Sequence, residues 1–223
     1  MTDFGAQRLA MVESQLRPNE VTDSRLLAAM RSLPREEFVP PRLRVLAYID
    51  EAIEIFPSVD GAPARYLLAP MVLARLIQLA AVGPKDTVLD IGCGTGYSTA
   101  VLAQLGGKVV GLEPEPELAD AARKTLRKLG IANAEIVQGP LAGGYRPEAP
   151  YDAILLNGSV PEPPEALLEQ LREGGRLAAV LSTGIQGKAY RFVKVAGEAS
   201  GVPHFDAGAR PLPGFQPAPA FTF

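Results

Sequence analysis

"VLDIGCGTGYSTAVLA", residues Val88 to Ala103, runs from an apolar segment through Asp90 into three glycines at alternate positions, Gly92, Gly94 and Gly96, and on into an alanine-rich stretch. A short apolar run bounded by turn-formers reads as a buried strand, and the segment after Gly96 reads as a helix. Glycines so placed let the chain turn sharply and let a ligand lie against bare backbone. The N-terminus of the helix that follows offers unpaired N–H groups to an anion.

Outward from this turn the same alternation repeats. Strand Thr87 to Ile91 is followed by helix Tyr97 to Leu105, and strand Lys108 to Leu112 by helix Glu117 to Leu129. Strand Ala134 to Val137 leads into a Gly-rich loop, strand Asp152 to Leu156 leads through prolines to helix Glu165 to Leu171, and strand Arg176 to Leu181 comes next. Strands apolar throughout and separated by amphipathic helices predict a parallel sheet covered on both faces, a doubly wound α/β domain. After Leu181, "YRFVKVAGEA" alternates like a half-exposed strand, with "PAFTF" expected beside it as an antiparallel edge; the Pro/Gly-rich stretch between them is not helical.

Before Gly83, apolar spacing predicts a helix over Ala6 to Leu16 and a second from Thr22, capped by its hydroxyl and stopped by Pro34. "EAIEIFPSVDGAPARYLLAP", Glu51 to Pro70, is rich in turn-formers and reads as a long surface loop, and Met71 to Ala81 as a well-covered helix. Residues 1–82 are therefore expected to form a helical and substrate-loop region packed on a ligand-binding core of residues 83–223, one compact domain overall.

Composition narrows the chemistry. The single cysteine, Cys93, excludes an internal disulfide, and with the single histidine, His204, it leaves too few soft ligands for zinc; no metal site is expected. The first fifty residues balance seven arginines against seven acids, and the chain's formal charge is −3, which argues against a nucleic-acid partner. With no apolar run long enough for a membrane span and no secretory layout at the start, the expectation is a cytoplasmic protein without a membrane partner.

In a doubly wound sheet, ligands bind at the carboxyl ends of the strands, and the first strand-to-helix turn is the usual floor. Glu113, at the end of the second strand, stands where a carboxylate accepts the hydroxyls of a ribose, so turn and acid together describe an adenosine-containing ligand. The dinucleotide fingerprint is G-x-G-x-x-G, whereas this loop is G-x-G-x-G preceded by Asp90.

The acidic-G-x-G-x-G form resembles motif I of the class I S-adenosylmethionine-dependent methyltransferases. That resemblance implies a mostly parallel seven-stranded, Rossmann-like sheet. It implies cofactor contacts from Asp90, Gly92, Cys93, Gly94, Thr95 and Gly96, from Glu113 and Pro114, from Gly139, Pro140 and Leu141, and from Asn157. The N-terminal words "MVESQLRPNEVTDSRLLAAMRSLPREEFVPPRLRVLAYID" are similar, in order and spacing, to those of protein-L-isoaspartate O-methyltransferases. The similarity continues through "APYDAILLNGSVPEPPEALLEQLREGGRL" and weakens after about Leu181. The resemblance implies methyl transfer from S-adenosylmethionine, leaving S-adenosylhomocysteine, to the carboxylate of an isoaspartyl residue in a protein or peptide.

Three departures bear on that expectation. The family's Thr-Ile-Ser-Gln-Pro segment is replaced by Tyr66, Leu67, Leu68, Ala69 and Pro70, so Leu68 stands at the position of the serine that meets the reacting carboxylate. Pro140 replaces the aspartate that meets the adenine, and Asn157, Gly158 and Ser159 replace Thr-Ala-Ala after the fourth strand. Arg65 could pair a substrate carboxylate in place of the missing hydroxyl, or be an exposed loop residue. Three readings stay open: an isoaspartyl methyltransferase, the same fold turned to another carboxylate or a small-molecule acceptor, and a non-catalytic module that binds the cofactor or a partner. Cys93 reads as packing, His204 as incidental, and Arg123, Lys124, Arg127 and Lys128 as a solvated helix face opposed by Glu117 and Asp120.

Overall fold

The computed structural model describes residues 2–58, 63–163, 165–182 and 186–215. The chain opens with α1 (Phe4–Met11), which passes through one π turn to Leu16, and α2 (Ser24–Ser32). Asp23, not Thr22, caps α2: its carboxylate accepts the N–H groups of Arg25 and Leu26, while the Thr22 N–H donates to the Gln78 side chain. A carboxylate at that position also meets the positive end of the helix dipole. Two 3₁₀ turns, Arg35–Phe38 and Pro41–Leu46, carry the proline-rich segment onward.

The expected loop from Glu51 to Pro70 contains instead a small antiparallel hairpin, β1 (Ile53–Phe56) with β2 (Arg65–Leu67). Ile53 and Ile55 face inward and Glu54 and Phe56 are half-buried, the period-2 alternation of a strand with one covered face. The strands are too short for that alternation to outweigh the surrounding turn-formers. α3 (Pro70–Ala80) follows, with Pro70 in its first turn where a missing N–H costs nothing.

Then come β3 (Thr87–Ile91), α4 (Tyr97–Ala103), β4 (Lys108–Glu113), α5 (Pro116–Lys128), β5 (Ala134–Gln138), β6 (Tyr151–Val160), α6 (Glu165–Glu169), β7 (Leu171–Leu181), β8 (Gly187–Val195) and β9 (Glu198–Ala207). The main sheet has seven strands in the order β5-β4-β3-β6-β7-β8-β9, parallel from β5 to β7 and antiparallel from β7 to β9. β6 is buried at every position, as the central strand of a sheet covered on both faces must be. The antiparallel partner of β8 is β9, reached through a tight turn at Ala196 and Gly197; "PAFTF" lies outside the described residues. Among the described residues β9 forms one edge of the sheet, and a register irregularity falls between Ala189 and Tyr190, where Tyr190 opposes Pro203.

The strand order reverses beside β3, which has β4 on one side and β6 on the other. The carboxyl ends of these strands are where a sheet of this kind places its ligand crevice, and the glycine turn after β3 lies there.

Candidate functional site

Gly92, Gly94 and Gly96 all adopt left-handed backbone, with φ of 72°, 56° and 91°. At Gly92 the requirement is steric as well as conformational, since an added Cβ would lie 2.7 Å from Leu212 Cδ2. The turn places Asp90 and Glu113 side by side at the ends of β3 and β4.

Asp90 is fully buried and accepts hydrogen bonds from Ser98 Oγ at 2.7 Å, Thr99 Oγ1 at 2.5 Å and Asn157 Nδ2 at 2.6 Å. Both oxygens are thus engaged by the protein, and the carboxylate ties β3 to the first turn of α4 and to β6. Burial outweighs the three donors and pushes its pKa up to about 6. The native chain therefore holds this proton more tightly than the unfolded chain does. On its own, Asp90 lowers stability as pH rises from about 4 to about 6, by roughly 3 kcal/mol across the window, with no further change above it. Asparagine preserves the hydrogen-bond geometry, because the two hydroxyls can reverse. We expect denaturant unfolding at pH 4.5 and pH 7 to differ less in Asp90→Asn than in the parent. An unchanged difference would refute the assignment. Glu113, also lifted by burial, contributes to the slope in both chains.

Glu113 has no solvent exposure. Its Oε2 accepts the Gly94 N–H at 2.8 Å, and its Oε1 accepts Arg65 Nη1 at 2.5 Å and the Glu115 N–H at 3.3 Å. Arg65 Nη2 donates to the Gly92 carbonyl at 3.2 Å. Arg65 is 3% exposed, so it is neither an exposed loop residue nor free to meet an acceptor: β2 carries it into the crevice and onto the acid expected to hold a sugar.

Leu68, just past β2, is buried, and its carbonyl accepts Arg35 Nη2 at 2.6 Å. Arg35 is wholly buried, also donates from Nε to the Ala47 carbonyl at 2.7 Å, and sets its guanidinium 4.7 Å from the centre of the Tyr97 ring. It joins the 3₁₀ turn, the loop after β2 and the start of α4. Nothing in the local sequence around Arg35 marks it as a core residue. Its burial depends on partners distant in sequence, which leave no local signature.

The remaining expected contacts divide. Leu141 is buried beside Gly92, Gly139 donates its N–H to the Glu113 carbonyl at 3.2 Å, and Asn157 Nδ2 also reaches the Ile91 carbonyl at 3.2 Å. Thr95 turns away, its hydroxyl donating to the Phe38 carbonyl at 2.5 Å. Pro140 is exposed, and the Pro114 carbonyl accepts the Gln138 side chain at 3.4 Å. The Cys93 thiol is buried close to Gly111, and burial pushes its pKa up. His204 is exposed on β9; Arg123 bonds Asp120 and Lys128 bonds Glu37. Among the described residues no group of three or more His, Cys, Asp or Glu side chains could hold a metal ion, and no helix is long and apolar enough to cross a membrane.

Two residues missed from sequence complete the site. Ile55 Cδ1, from β1, lies 2.6 Å from where a Cβ on Gly94 would be, and Leu212 packs on Gly92 and Gly158. β3 pairs with β6 as far as Ile91 and Leu156; beyond that, Ser159 bridges to Pro211 in parallel, with the Leu212 N–H on the Ser159 carbonyl at 2.9 Å. The C-terminal segment thus continues the place of β3 beside β6.

The model of the protein-L-isoaspartate(D-aspartate) O-methyltransferase family matches residues 6–203. A protein-L-isoaspartate O-methyltransferase of Methanoculleus marisnigri is 39% identical over 197 residues, 88% of this chain and 87% of that one. The protein-L-isoaspartate O-methyltransferase 1 of Rhodopseudomonas palustris strain HaA2 is 40% identical over 194 residues, 87% of this chain and 76% of that one. Among solved structures, a protein-L-isoaspartate O-methyltransferase aligns with a TM-score of 0.80 and 27% identity over 93% of this chain, which spans 66% of that longer protein. A Plasmodium falciparum protein described as a putative member, solved with S-adenosyl-L-homocysteine, aligns with a TM-score of 0.73 at 23% identity over 91% of this chain and 96% of its own, a likeness of fold.

Proposed function

Since the chain belongs to the protein-L-isoaspartate(D-aspartate) O-methyltransferase family, we propose that it transfers a methyl group from S-adenosylmethionine to the carboxylate of an isoaspartyl residue in a protein or peptide. The observation that carries this reading is the juxtaposition of a left-handed glycine turn after β3 with the buried carboxylate of Glu113 at the end of β4, at the switch point of the sheet. The residue types fit the donor. Glu113 would hold the sugar hydroxyls, the bare backbone of Gly92 to Gly96 would lie against the amino-acid portion, and Gly139 and Leu141 would flank the base. S-adenosylmethionine, when bound, supplies a methyl group activated by a sulfonium.

The acceptor asks little proton chemistry of the chain. A carboxylate, with an ordinary pKa near about 4, is already the nucleophile at neutral pH. What remains is orientation and exclusion of water, worth several kcal/mol on effective-molarity grounds. Asp90 is read as a positioning residue that fixes the turn through Ser98, Thr99 and Asn157. Residues 1–82 and 83–223 are read as one compact domain, a reading supported by a buried cluster that runs from Met11 through Leu68 and Tyr97 to Ala207.

A second reading, a different carboxylate or a small-molecule acceptor, is favoured by one observation: Leu68 presents a buried apolar side chain where the family has a serine hydroxyl. A hydrogen bond to a charged group contributes about 1.5–3 kcal/mol, so Leu68→Ser is expected to raise methyl transfer to an isoaspartyl peptide by roughly 10- to 100-fold over the parent. Transfer of radiolabelled methyl to isoaspartyl and aspartyl versions of one peptide tests both readings. Failure of parent and variant alike to distinguish the two peptides would reject the isoaspartyl assignment.

A further inference from the structure

We propose that the cofactor crevice is held shut by a plug made of this chain's own hairpin and C-terminal segment, and that the nucleotide binds only as the plug is displaced. The proposal rests on the methyl-donor reading above. Four residues build the plug, Arg65, Ile55, Arg210 and Leu212, and they cover Glu113, the glycine turn and the neighbouring Gly158. The Arg65 guanidinium presents N–H donors to Glu113 Oε1 at 2.5 Å, where sugar hydroxyls would present O–H donors. Ile55 lies on the bare face of Gly94, and Leu212 on those of Gly92 and Gly158; the Arg210 carbonyl also lies 2.7 Å from the place of a Cβ on Gly158. Beside these contacts, a cavity between Arg65, Leu68, Asn157, Arg210 and Leu212 measures about 10 Å³, room for about one water.

The two halves of the plug are joined to each other: the Arg210 guanidinium lies 5.2 Å from the centre of the Tyr66 ring in β2. Their backbone links to the main sheet are few. β1 and β2 form a separate two-stranded sheet of four and three residues, and residues 209–212 meet β6 through one β-bridge and the hydrogen bonds around Ser159. Two-stranded hairpins have little stability of their own, so a ligand that gains Glu113 and the glycine turn can displace this one. The closed state lowers apparent affinity by the fraction of molecules that are open.

The test is calorimetric titration of the full chain with S-adenosylhomocysteine, in the parent, in Arg65→Gln, which keeps an N–H donor for Glu113, and in Leu212→Ala, which leaves the ion pair intact. Either variant should bind about tenfold or more tightly than the parent, and hydrogen exchange of the amides in Ile53–Phe56 and Arg65–Leu67 should speed up when the parent is saturated. Parent binding as tight as both variants, or hairpin amides equally protected in the complex, overturns the plug and leaves the methyl-donor reading standing. Absence of binding in all three chains overturns both.

Discussion

Glu113→Ala is expected to lower the unfolding midpoint by roughly 6–20 °C, following a loss of about 3–5 kcal/mol in a chain of this length. The loss does not measure the strength of the Arg65 ion pair. Bringing two charges out of water costs nearly as much as their attraction returns, so an intact buried pair adds little net stability. Removal of one partner leaves the Arg65 guanidinium, 3% exposed, with the Gly92 carbonyl as its one remaining hydrogen-bond partner among the described residues, and that uncompensated charge sets the penalty. The double variant Arg65→Met/Glu113→Leu should therefore recover most of what Glu113→Ala loses. Thermal unfolding of Arg65→Met, of Glu113→Leu and of the double change closes the cycle. A Glu113→Ala midpoint within about 2 °C of the parent would show that the pair is not desolvated in solution.

Arg35→Ala is the second large effect, also about 3–5 kcal/mol and so again roughly 6–20 °C. Among the described residues no carboxylate is bonded to this guanidinium. Burial pulls the Arg35 pKa below its ordinary value, yet the side chain holds the carbonyls of Ala47 and Leu68 and lies over Tyr97. Truncation leaves two buried acceptors unsatisfied and a void against an aromatic ring. Lysine is a poor substitute, because one ammonium cannot span two carbonyls from the fork a guanidinium provides. Arg35→Lys should lose more than half as much as Arg35→Ala in denaturant midpoint. If lysine restored the parent midpoint, charge rather than geometry would be the source of the stabilisation.

Much of the fold was legible because its signals are local. β3 was read as Thr87 to Ile91 and is observed there, since a run apolar enough for burial on both faces stops at glycines that no strand interior favours. Glu113 was legible for the same reason, being the acid that ends the next strand. The hairpin was not, because its seven strand residues lie among prolines and glycines that signal turns. Nor was the fate of Arg65. A buried ion pair between positions 65 and 113 is a product of tertiary closure, and a single arginine beside a loop looks the same whether it faces water or an acid. Leu212 gave even less warning, because a leucine among prolines predicts neither strand nor core. What was missed has one physical origin: these residues are defined by what covers them, and coverage is not written in local spacing.

β9 carries a quieter consequence. An outer strand with a free row of donors and acceptors invites another molecule to add itself, and repeated addition makes fibrils. Pro203 has no N–H to offer, the register slips beside it, and Glu198, His204 and Asp206 stand exposed along the strand. A visiting strand meets a missing donor, an uneven ladder and charge, so polymerisation has no template on that flank.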